Sequence, residues 1–310
     1  MTLITRDTSG VFAIAPTPFD PGGDIDFESL TRLVAFYESI GVAGLTLLGQ
    51  LGEAPKLTHE ESVRIVRHVV ERTSLPIVVG VSASGFAAMA ALTAEVMDAG
   101  AAGVMIAPPN TLRTDDQIVQ YYEGAAHAIG DSVPFVVQDY PLSFSVVMTP
   151  SVIARIAGTV PNCVMLKHED WPGLEKISTL RRLEGEGMLP RLSILCGNGG
   201  LFLDFEIERG ADGAMTGYCF PELLVDVVES AAVDRDAAHD VFDAHLPLLR
   251  YEQQPLLGLA VRKYVMTRRG LLASDTQRSP RPMLTETTRA EIDYLLARLA
   301  RHDSRVILVN

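Results

Sequence analysis

The segment PFVVQDYP (residues 134–141) decides the fold, because it is a short apolar run that ends in polar residues, an aromatic residue and a proline. Seven further short apolar runs occur along the chain, and amphipathic stretches separate them. They are VFAIAPTPF (11–19), GLTLLG (44–49), PIVVGVS (76–82), GVMIAPP (103–109), CVMLKHE (163–169), RLSILCGNG (191–199) and GAMTG (213–217). Near-continuous hydrophobicity of this kind is typical of parallel strands buried on both faces.

Start signals for helices lie between several of these runs. THEE (58–61) and TDDQ (114–117) match the capping box, in which a threonine caps the first turn and a Glu or Gln reaches back to it. TPSVIARIAG (149–158) places Pro150 at a first helical position, where its missing N–H costs nothing. The chain therefore alternates strands with helices.

Eight strand-and-helix units in roughly 220 residues match a (β/α)8 barrel in number and length. The main rival is a doubly wound open sheet. Eight regular units leave little room for a second domain, however, and no glycine-rich phosphate loop follows the first strand. We predict a barrel core over residues 1–221. Residues 222–310 are predicted to add the last barrel helix and a helical extension of the same domain, with a loop at 273–284.

Composition excludes several function classes. The formal net charge of -13 disfavours a nucleic-acid or anionic-membrane surface, since those partners require clustered Lys and Arg. Three cysteines without a short pairing spacing make a disulfide framework improbable. The first residues lack the basic and apolar regions of a signal peptide, and no apolar run approaches the ~20 residues of a membrane span. We therefore expect a cytoplasmic protein.

Lys167 stands near the end of an otherwise apolar strand, where barrel enzymes place their chemistry. Strand side chains alternate, so Lys167 and Glu169 should share a face while His168 takes the other. Burial among apolar neighbours favours the neutral amine, which is the form that attacks a carbonyl. We hypothesise that Lys167 forms a Schiff base with the carbonyl group of a substrate. The alternative is a lysine that reaches solvent or pairs with Glu169 or Asp170.

Three segments resemble the dihydrodipicolinate synthase and N-acetylneuraminate lyase superfamily. APTPFDPGGDIDFESL (15–30) is similar to its opening, GVAGLTLLGQLGEAPKLTHEE (41–61) to its second strand and G-x-x-G-E loop, and GADGAMTG (210–217) to its last strand. The resemblance runs from about residue 9 to the end of the chain. It implies a (β/α)8 barrel, usually a tetramer, in which Lys167 forms an imine with pyruvate or another 2-oxo acid.

The resemblance fails at the proton relay of the synthase branch. That branch usually has two threonines in its G-x-x-G-E loop, a tyrosine that opens Y-N-x-P on strand five, and a tyrosine after strand four that enters a neighbouring subunit. The matching segments here are Gly49-Gln50-Leu51-Gly52-Glu53, Gln138-Asp139-Tyr140-Pro141 and Pro108-Pro109-Asn110. The arginine that receives a substrate carboxylate in synthases is matched by Ser143. These departures argue against dihydrodipicolinate synthesis.

Gln138 takes the place of the relay tyrosine, and its amide cannot exchange a proton at neutral pH. We hypothesise that Tyr140, which shares its face, Glu169, or a water held by Gln138 is the acid/base instead. VQDYPLS (137–143) and LKHE (166–169) resemble the branch that dehydrates 2-oxo-3-deoxy sugar acids. Dehydration needs a base for the C3 proton and an acid for the C4 hydroxyl, which suits a carboxylate near the imine. The alternative is aldol cleavage or condensation of a pyruvate-derived sugar acid.

Backbone N–H groups of the loop after strand two are candidates for binding the substrate carboxylate, since that contact needs exposed amides more than threonine hydroxyls. The candidate substrate-binding residues are Gly49, Gln50, Leu51, Gly52, Ser143, Gly197, Asn198 and Thr216, and the catalytic ones are Lys167, Tyr140, Glu169 and Gln138. Each has a structural alternative. Tyr140 would pack at the barrel rim, Glu169 would neutralise a helix terminus or a lysine, and the CGNGG glycines (196–200) would only form a tight turn.

Two other classes stay open at this point. A metal-dependent aldolase would hold a divalent ion with the carboxylates and histidine of KHED (167–170), although adjacent residues point to opposite faces. A barrel that binds an oxo acid as a sensor, without turnover, would explain the lost relay. The Schiff-base hypothesis predicts no cofactor and no metal, a small 2-oxo acid as ligand, and, from the resemblance, a homotetramer or homodimer.

Overall fold

The computed structural model describes residues 2–171 and 173–309, and its centre is a closed barrel of eight parallel strands. The strands are β1 (Gly10–Ile14), β2 (Gly44–Leu47), β3 (Ile77–Gly80), β4 (Gly103–Ile106), β5 (Phe135–Asp139), β6 (Cys163–His168), β7 (Ser193–Cys196) and β8 (Gly213–Thr216). Each pairs with the next along the chain, and β8 pairs with β1. The predicted (β/α)8 barrel is confirmed, and the open sheet is excluded.

Helices follow every strand. They are α1 (Phe27–Ser39), α2 (His59–Val70), α3 (Phe86–Asp98), α4 (Asp115–Ile129), α5 (Pro141–Phe144), α6 (Pro150–Thr159), α7 (Leu174–Gly185), α8 (Leu203–Glu208), α9 (Glu222–Ser230), α10 (Arg235–Glu252), α11 (Gly258–Arg268) and α12 (Glu286–Leu299). The capping boxes at Thr58 and Thr114 and the first-turn Pro150 are all present. The sequence signals therefore located these helix starts correctly.

The barrel interior is filled by apolar side chains up to the level at which the polar residues begin. Phe12, Val78, Met105, Val136, Met165, Leu195 and Met215 belong to one buried cluster inside the strands. Burying each of these contributes about 1.5–3 kcal/mol to folding. Lys167 follows Met165 by two residues and so points to the same interior, one layer higher. The packed layer thus forms the floor of a site at the carboxyl ends of the strands.

The C-terminal helices reach back to this end of the barrel through α11. Lys263 of α11 donates to the carbonyl of Thr17 at 2.7 Å and pairs with Glu53 of the loop after β2 at 2.6 Å. Glu53 is 2% exposed and is also bound by Lys56 at 2.9 Å. These contacts support the proposal that residues 222–310 belong to the barrel domain. None of the helices in the described part of the chain is long and apolar enough to cross a membrane.

The predicted loop at 273–284 is anchored by Arg278, whose two terminal nitrogens donate to Glu61 at 2.7 and 2.6 Å. These hydrogen bonds hold the pKa of Glu61 at about 2, below its ordinary 4.5. A carboxyl whose pKa is lower in the folded state stabilises the fold above pH 4.5, and this stability is lost as the pH falls towards 2. The stability that this ion pair contributes by anchoring the loop is therefore lost at acidic pH.

We expect Glu61→Gln to lower the free energy of unfolding at pH 7 by about 2 kcal/mol. Each unit of the lowered Glu61 pKa corresponds to about 1.4 kcal/mol of stability, and solvent screening of this partly exposed ion pair reduces the total. The glutamine keeps an oxygen that can accept the Thr58 N–H bond of the capping box. Urea unfolding at pH 7 and pH 3 measures the effect, and the difference from wild type should shrink at pH 3. An equal difference at both pH values would contradict the linkage.

Candidate active site

Lys167, Glu169 and Gln138 form a buried triangle inside the barrel. Gln138 of β5 lies beside Lys167 of β6 in the sheet register, and Glu169 follows directly after β6. The Glu169 carboxylate lies 3.1 Å from Lys167 Nζ and accepts a hydrogen bond from Gln138 Nε2 at 2.8 Å. The three residues are 3–5% exposed. A carboxylate is thus placed directly against the amine that would form the imine.

The opposite face of the same strands carries a separate polar group. His168 points outward as predicted, where its Nε2 lies 3.1 Å from the Gly173 carbonyl. Lys176 of α7 donates to Asp139 at 2.5 Å and to Asp170 at 3.0 Å. Asp170 is therefore engaged outside the barrel, and Lys167 pairs with Glu169. In residues 2–171 and 173–309, no group of three or more His, Cys, Asp or Glu side chains could hold a metal ion.

The turn after β7 holds Glu169 in place. A Cβ atom on Gly197 would overlap the Glu169 side chain, so a glycine is needed there for packing. Asn198, with φ of 49°, donates its side-chain amide to the Glu169 carbonyl at 3.0 Å. The N–H of Gly199 donates to Thr216 Oγ1 at 2.8 Å. The turn therefore both shapes the backbone and positions a candidate acid/base. Asn198 and Thr216 also line a cavity whose wall includes Lys167 and Glu169, the Lys167 cavity.

The loop after β2 carries N–H groups that have no acceptor in the described part of the chain and one N–H group that the turn itself uses. The N–H groups of Gln50 and Leu51 have no acceptor among the described residues, so they are free to bind an anion. The N–H of Gly52 is instead used within the turn, donating to the Gly49 carbonyl at 3.0 Å. Gly52 is therefore corrected from a ligand donor to a turn residue, and its own carbonyl accepts from Thr17.

Gln50 also closes one side of the cavity. Its side-chain amide donates to Ser143 of the short helix α5, whose side chain is exposed. Gly49 lines a second, adjacent cavity that shares Gln50 and Gln138 with the first and extends to Met105 and Phe144. Ser143 thus contacts the loop rather than the interior of the cavity around Lys167.

Tyr140 lines the same cavity as Lys167 and stacks edge-on against Phe144 at 6.2 Å. Burial raises the pKa of its phenol above the ordinary value, and the Glu169 carboxylate adds to this rise. The phenol is therefore protonated at neutral pH. It can donate a proton or a hydrogen bond, but it is a poor general base.

The cavity around Lys167 is narrow, with about 70 Å³ of space for water-sized molecules, and it adjoins the larger cavity that Gly49 lines. It contains residues that the sequence reasoning missed, namely Ile14, Gly217, Gln253 and Arg262. Gln253 and Arg262 come from the C-terminal helical region. One signal was available, because Arg262 and Lys263 interrupt the apolar run GLAVRKYVM (258–266) of a buried helix. A charged pair inside such a helix requires buried partners.

The chain is similar to known proteins of one family. The model of the family described as "Dihydrodipicolinate synthetase family" matches residues 7–299. An L-2-keto-3-deoxyarabonate dehydratase from Azospirillum brasilense is 31% identical, over 94% of this chain and 94% of its own. A 4-hydroxy-tetrahydrodipicolinate synthase from Chlorobium luteolum is 28% identical over 93% of this chain and 96% of its own. The crystal structure of a dihydrodipicolinate synthase from Rhodopseudomonas palustris is 60% identical, with a TM-score of 0.95, covering 96% of this chain and 100% of that chain.

Proposed function

Because the chain belongs to the dihydrodipicolinate synthetase family, we propose that it is a lysine-imine lyase that dehydrates a 2-oxo-3-deoxy sugar acid. The observation that carries the proposal is the Glu169 carboxylate, 3.1 Å from Lys167 Nζ, with Gln138 on the matching strand in place of a phenol. Similarity to a 2-keto-3-deoxyarabonate dehydratase supports the same substrate class. No cofactor takes part in the steps below.

The first step forms the imine. The neutral amine of Lys167 attacks C2 of the oxo acid, and the carbonyl oxygen leaves as water, with protons carried by Glu169. The product is a protonated imine that draws electrons from C3. The pair of Lys167 and Glu169 suits this step, because the carboxylate can accept the ammonium proton before the attack.

The second step removes water from C3 and C4. Glu169 takes the C3 proton and an enamine forms; the enamine then expels the C4 hydroxyl, which leaves as water after receiving a proton from Tyr140. The raised pKa of Tyr140 supports the role of acid, because its phenol carries a proton at neutral pH. Hydrolysis of the unsaturated imine restores Lys167 and returns the oxo group to C2.

Synthase activity is the alternative that the Rhodopseudomonas palustris relative suggests by its name. Two observations weigh against it. The amide of Gln138 donates to Glu169 and cannot relay a proton. Ser143, at the position of the carboxylate-binding arginine of synthases, is exposed and bound by Gln50. Aldol cleavage of a sugar-derived acid shares the imine, but it removes the C4 hydroxyl proton and breaks the C3–C4 bond, whereas dehydration breaks the C3–H and C4–O bonds.

The test is borohydride trapping with pyruvate and a panel of five- and six-carbon 2-oxo-3-deoxy acids. We expect a mass adduct on Lys167 and a product lighter than the acid by one water. Release of pyruvate and an aldehyde would make the protein an aldolase, and condensation of pyruvate with aspartate semialdehyde would make it a synthase. Activity lost to a chelator, without an adduct, would overturn the imine. An adduct with no turnover of any acid would favour a sensor.

Tyr140→Phe is expected to lower turnover by about 10²-fold, because the acid for the C4 hydroxyl is lost. The trapped adduct with pyruvate should persist, since the imine forms at Lys167. The matched control is Phe144→Leu, which removes the ring that stacks on Tyr140 and keeps the phenol. Unchanged turnover in Tyr140→Phe would remove Tyr140 from the mechanism.

The predicted homotetramer or homodimer stays a prediction.

A further inference from the structure

Arg262 is a buried arginine that the steps above do not use. Its side chain is 2% exposed, and its Nε donates to Glu252 Oε1 at 2.7 Å. Its Nη2 donates to Glu252 and to the carbonyl of Gly217, the residue after β8. Its Nη1, also buried, has no hydrogen-bond partner among the described residues. One charged donor of the guanidinium is therefore left over.

Arg262 belongs to the wall of the Lys167 cavity. A Cβ atom on Gly217 would lie 2.6 Å from Nη1 and 3.1 Å from Leu51 Cδ1, so Nη1 and Leu51 border the space that the missing Cβ leaves open. Arg262 and Leu51 both line that cavity, together with Lys167. Leu51 is also one of the residues of the loop after β2 whose N–H group has no acceptor among the described residues.

Arg262 is also fixed in this position. The second oxygen of Glu252 accepts the N–H of Cys219 at 2.9 Å, so Glu252 is held from both sides and cannot turn to satisfy Nη1. A buried N–H without a partner is costly, and more so on a charged group. A guanidinium binds an anion more strongly than a neutral hydroxyl. The site is therefore built to receive an anionic oxygen from the cavity.

We propose that Arg262 Nη1 binds the carboxylate of the substrate, next to the free N–H groups of Gln50 and Leu51. This inference rests on the proposed function, because a 2-oxo-3-deoxy sugar acid carries one negative group, at C1, adjacent to the carbon that Lys167 attacks. Arg262 would supply the charged contact that the loop lacks once Gln50 and Leu51 stand where synthases have threonines. It is a substrate-binding residue contributed by the C-terminal helical region.

The test compares a short and a long ligand that share only the oxo-acid end. Calorimetric titration with pyruvate measures binding whether or not an imine forms, and steady-state kinetics gives KM for the long acid. In Arg262→Lys, we expect both the Kd for pyruvate and the KM for the long acid to rise by about ten- to hundredfold. A loss confined to the long acid would mean a contact with its hydroxyl tail and would overturn the proposal, as would no change in either.

Two further variants keep the test decisive. Gly217→Ala would place a Cβ atom 2.6 Å from Nη1, so the guanidinium must shift from its present position, and pyruvate binding should weaken even if Arg262→Lys folds poorly. Arg269→Lys is the matched control, because Arg269 ends the same helix, pairs with Glu222 and has a side chain that is 6% exposed. It should lower Tm and leave Kd unchanged. If the proposed dehydratase function is wrong, wild type still binds pyruvate but dehydrates no acid. If the proposed role of Arg262 is wrong, the Arg262 variant binds pyruvate as wild type does.

Discussion

Lys167→Ala is expected to abolish the borohydride-trapped adduct and to lower turnover by more than about 10³-fold, the scale of loss seen when a covalent nucleophile is removed. The reason is chemical, because the described cavity offers no second amine that could form the imine: Lys176 lies outside the barrel, and Lys263 is engaged by Thr17 and Glu53. Intact-mass spectrometry after reduction with pyruvate gives the adduct, and peptide mapping gives its position.

The control is Lys176→Met, which removes a buried lysine paired with Asp139 and Asp170 behind the same strand. That variant should still form the full adduct at Lys167. An adduct on Lys167→Ala with the wild-type yield would place the imine on another lysine and end the proposal for Lys167. Circular dichroism of both variants establishes that each retains the fold.

Glu169→Gln is expected to form the pyruvate adduct more slowly than wild type, because Glu169 also carries protons during imine formation, and to lower turnover by about 10²–10⁴-fold, the usual contribution of a general base. The glutamine has nearly the same shape and still accepts a hydrogen bond, but it cannot take the C3 proton. The sharpest measurement is exchange of the pyruvate methyl protons in D₂O, followed by NMR. Wild type should exchange them through the enamine, and the variant should do so far more slowly.

Asp170→Asn is the matched control, because this carboxylate is the next residue and pairs with Lys176 outside the barrel. It should exchange the methyl protons as wild type does. Exchange at the wild-type rate in Glu169→Gln would assign the base to another group, leaving a water held by Gln138 as the remaining candidate. Comparing the two variants shows whether exchange of the methyl protons depends on the carboxylate inside the barrel or on loss of any nearby carboxylate.

The strand pattern predicted most of what positions the site. Alternation along β6 placed Lys167 and Glu169 on one face and His168 on the other, because side-chain direction depends only on local geometry. The same parity placed Gln138 and Tyr140 on one face of β5 and its extension. The ion pair between Lys167 and Glu169 followed once both side chains were buried.

Some features of the site depend on tertiary contacts, which the sequence pattern does not reveal. Arg262 reaches the cavity from a helix far along the chain, and an all-round buried helix such as α11 has no periodicity that tells which side faces a site. Gly197 looks like any turn glycine until the Glu169 side chain is seen to occupy its missing Cβ position. The sequence predicts that the N–H of Gly52 binds substrate, but this N–H donates to the Gly49 carbonyl within the turn. Hydrogen bonding inside a loop is not encoded in residue type alone.

The contact of Lys263 with Thr17 and Glu53 has a consequence for the order in which the protein becomes functional. The loop after β2 is made early in translation, whereas the helix that holds its Glu53 follows all eight strands in the chain. A nascent chain that already contains all eight strands still lacks both this anchor and Arg262. Substrate binding is therefore expected to begin only after α11 has been synthesised, so a ribosome-stalled chain ending at residue 230 should not retain pyruvate.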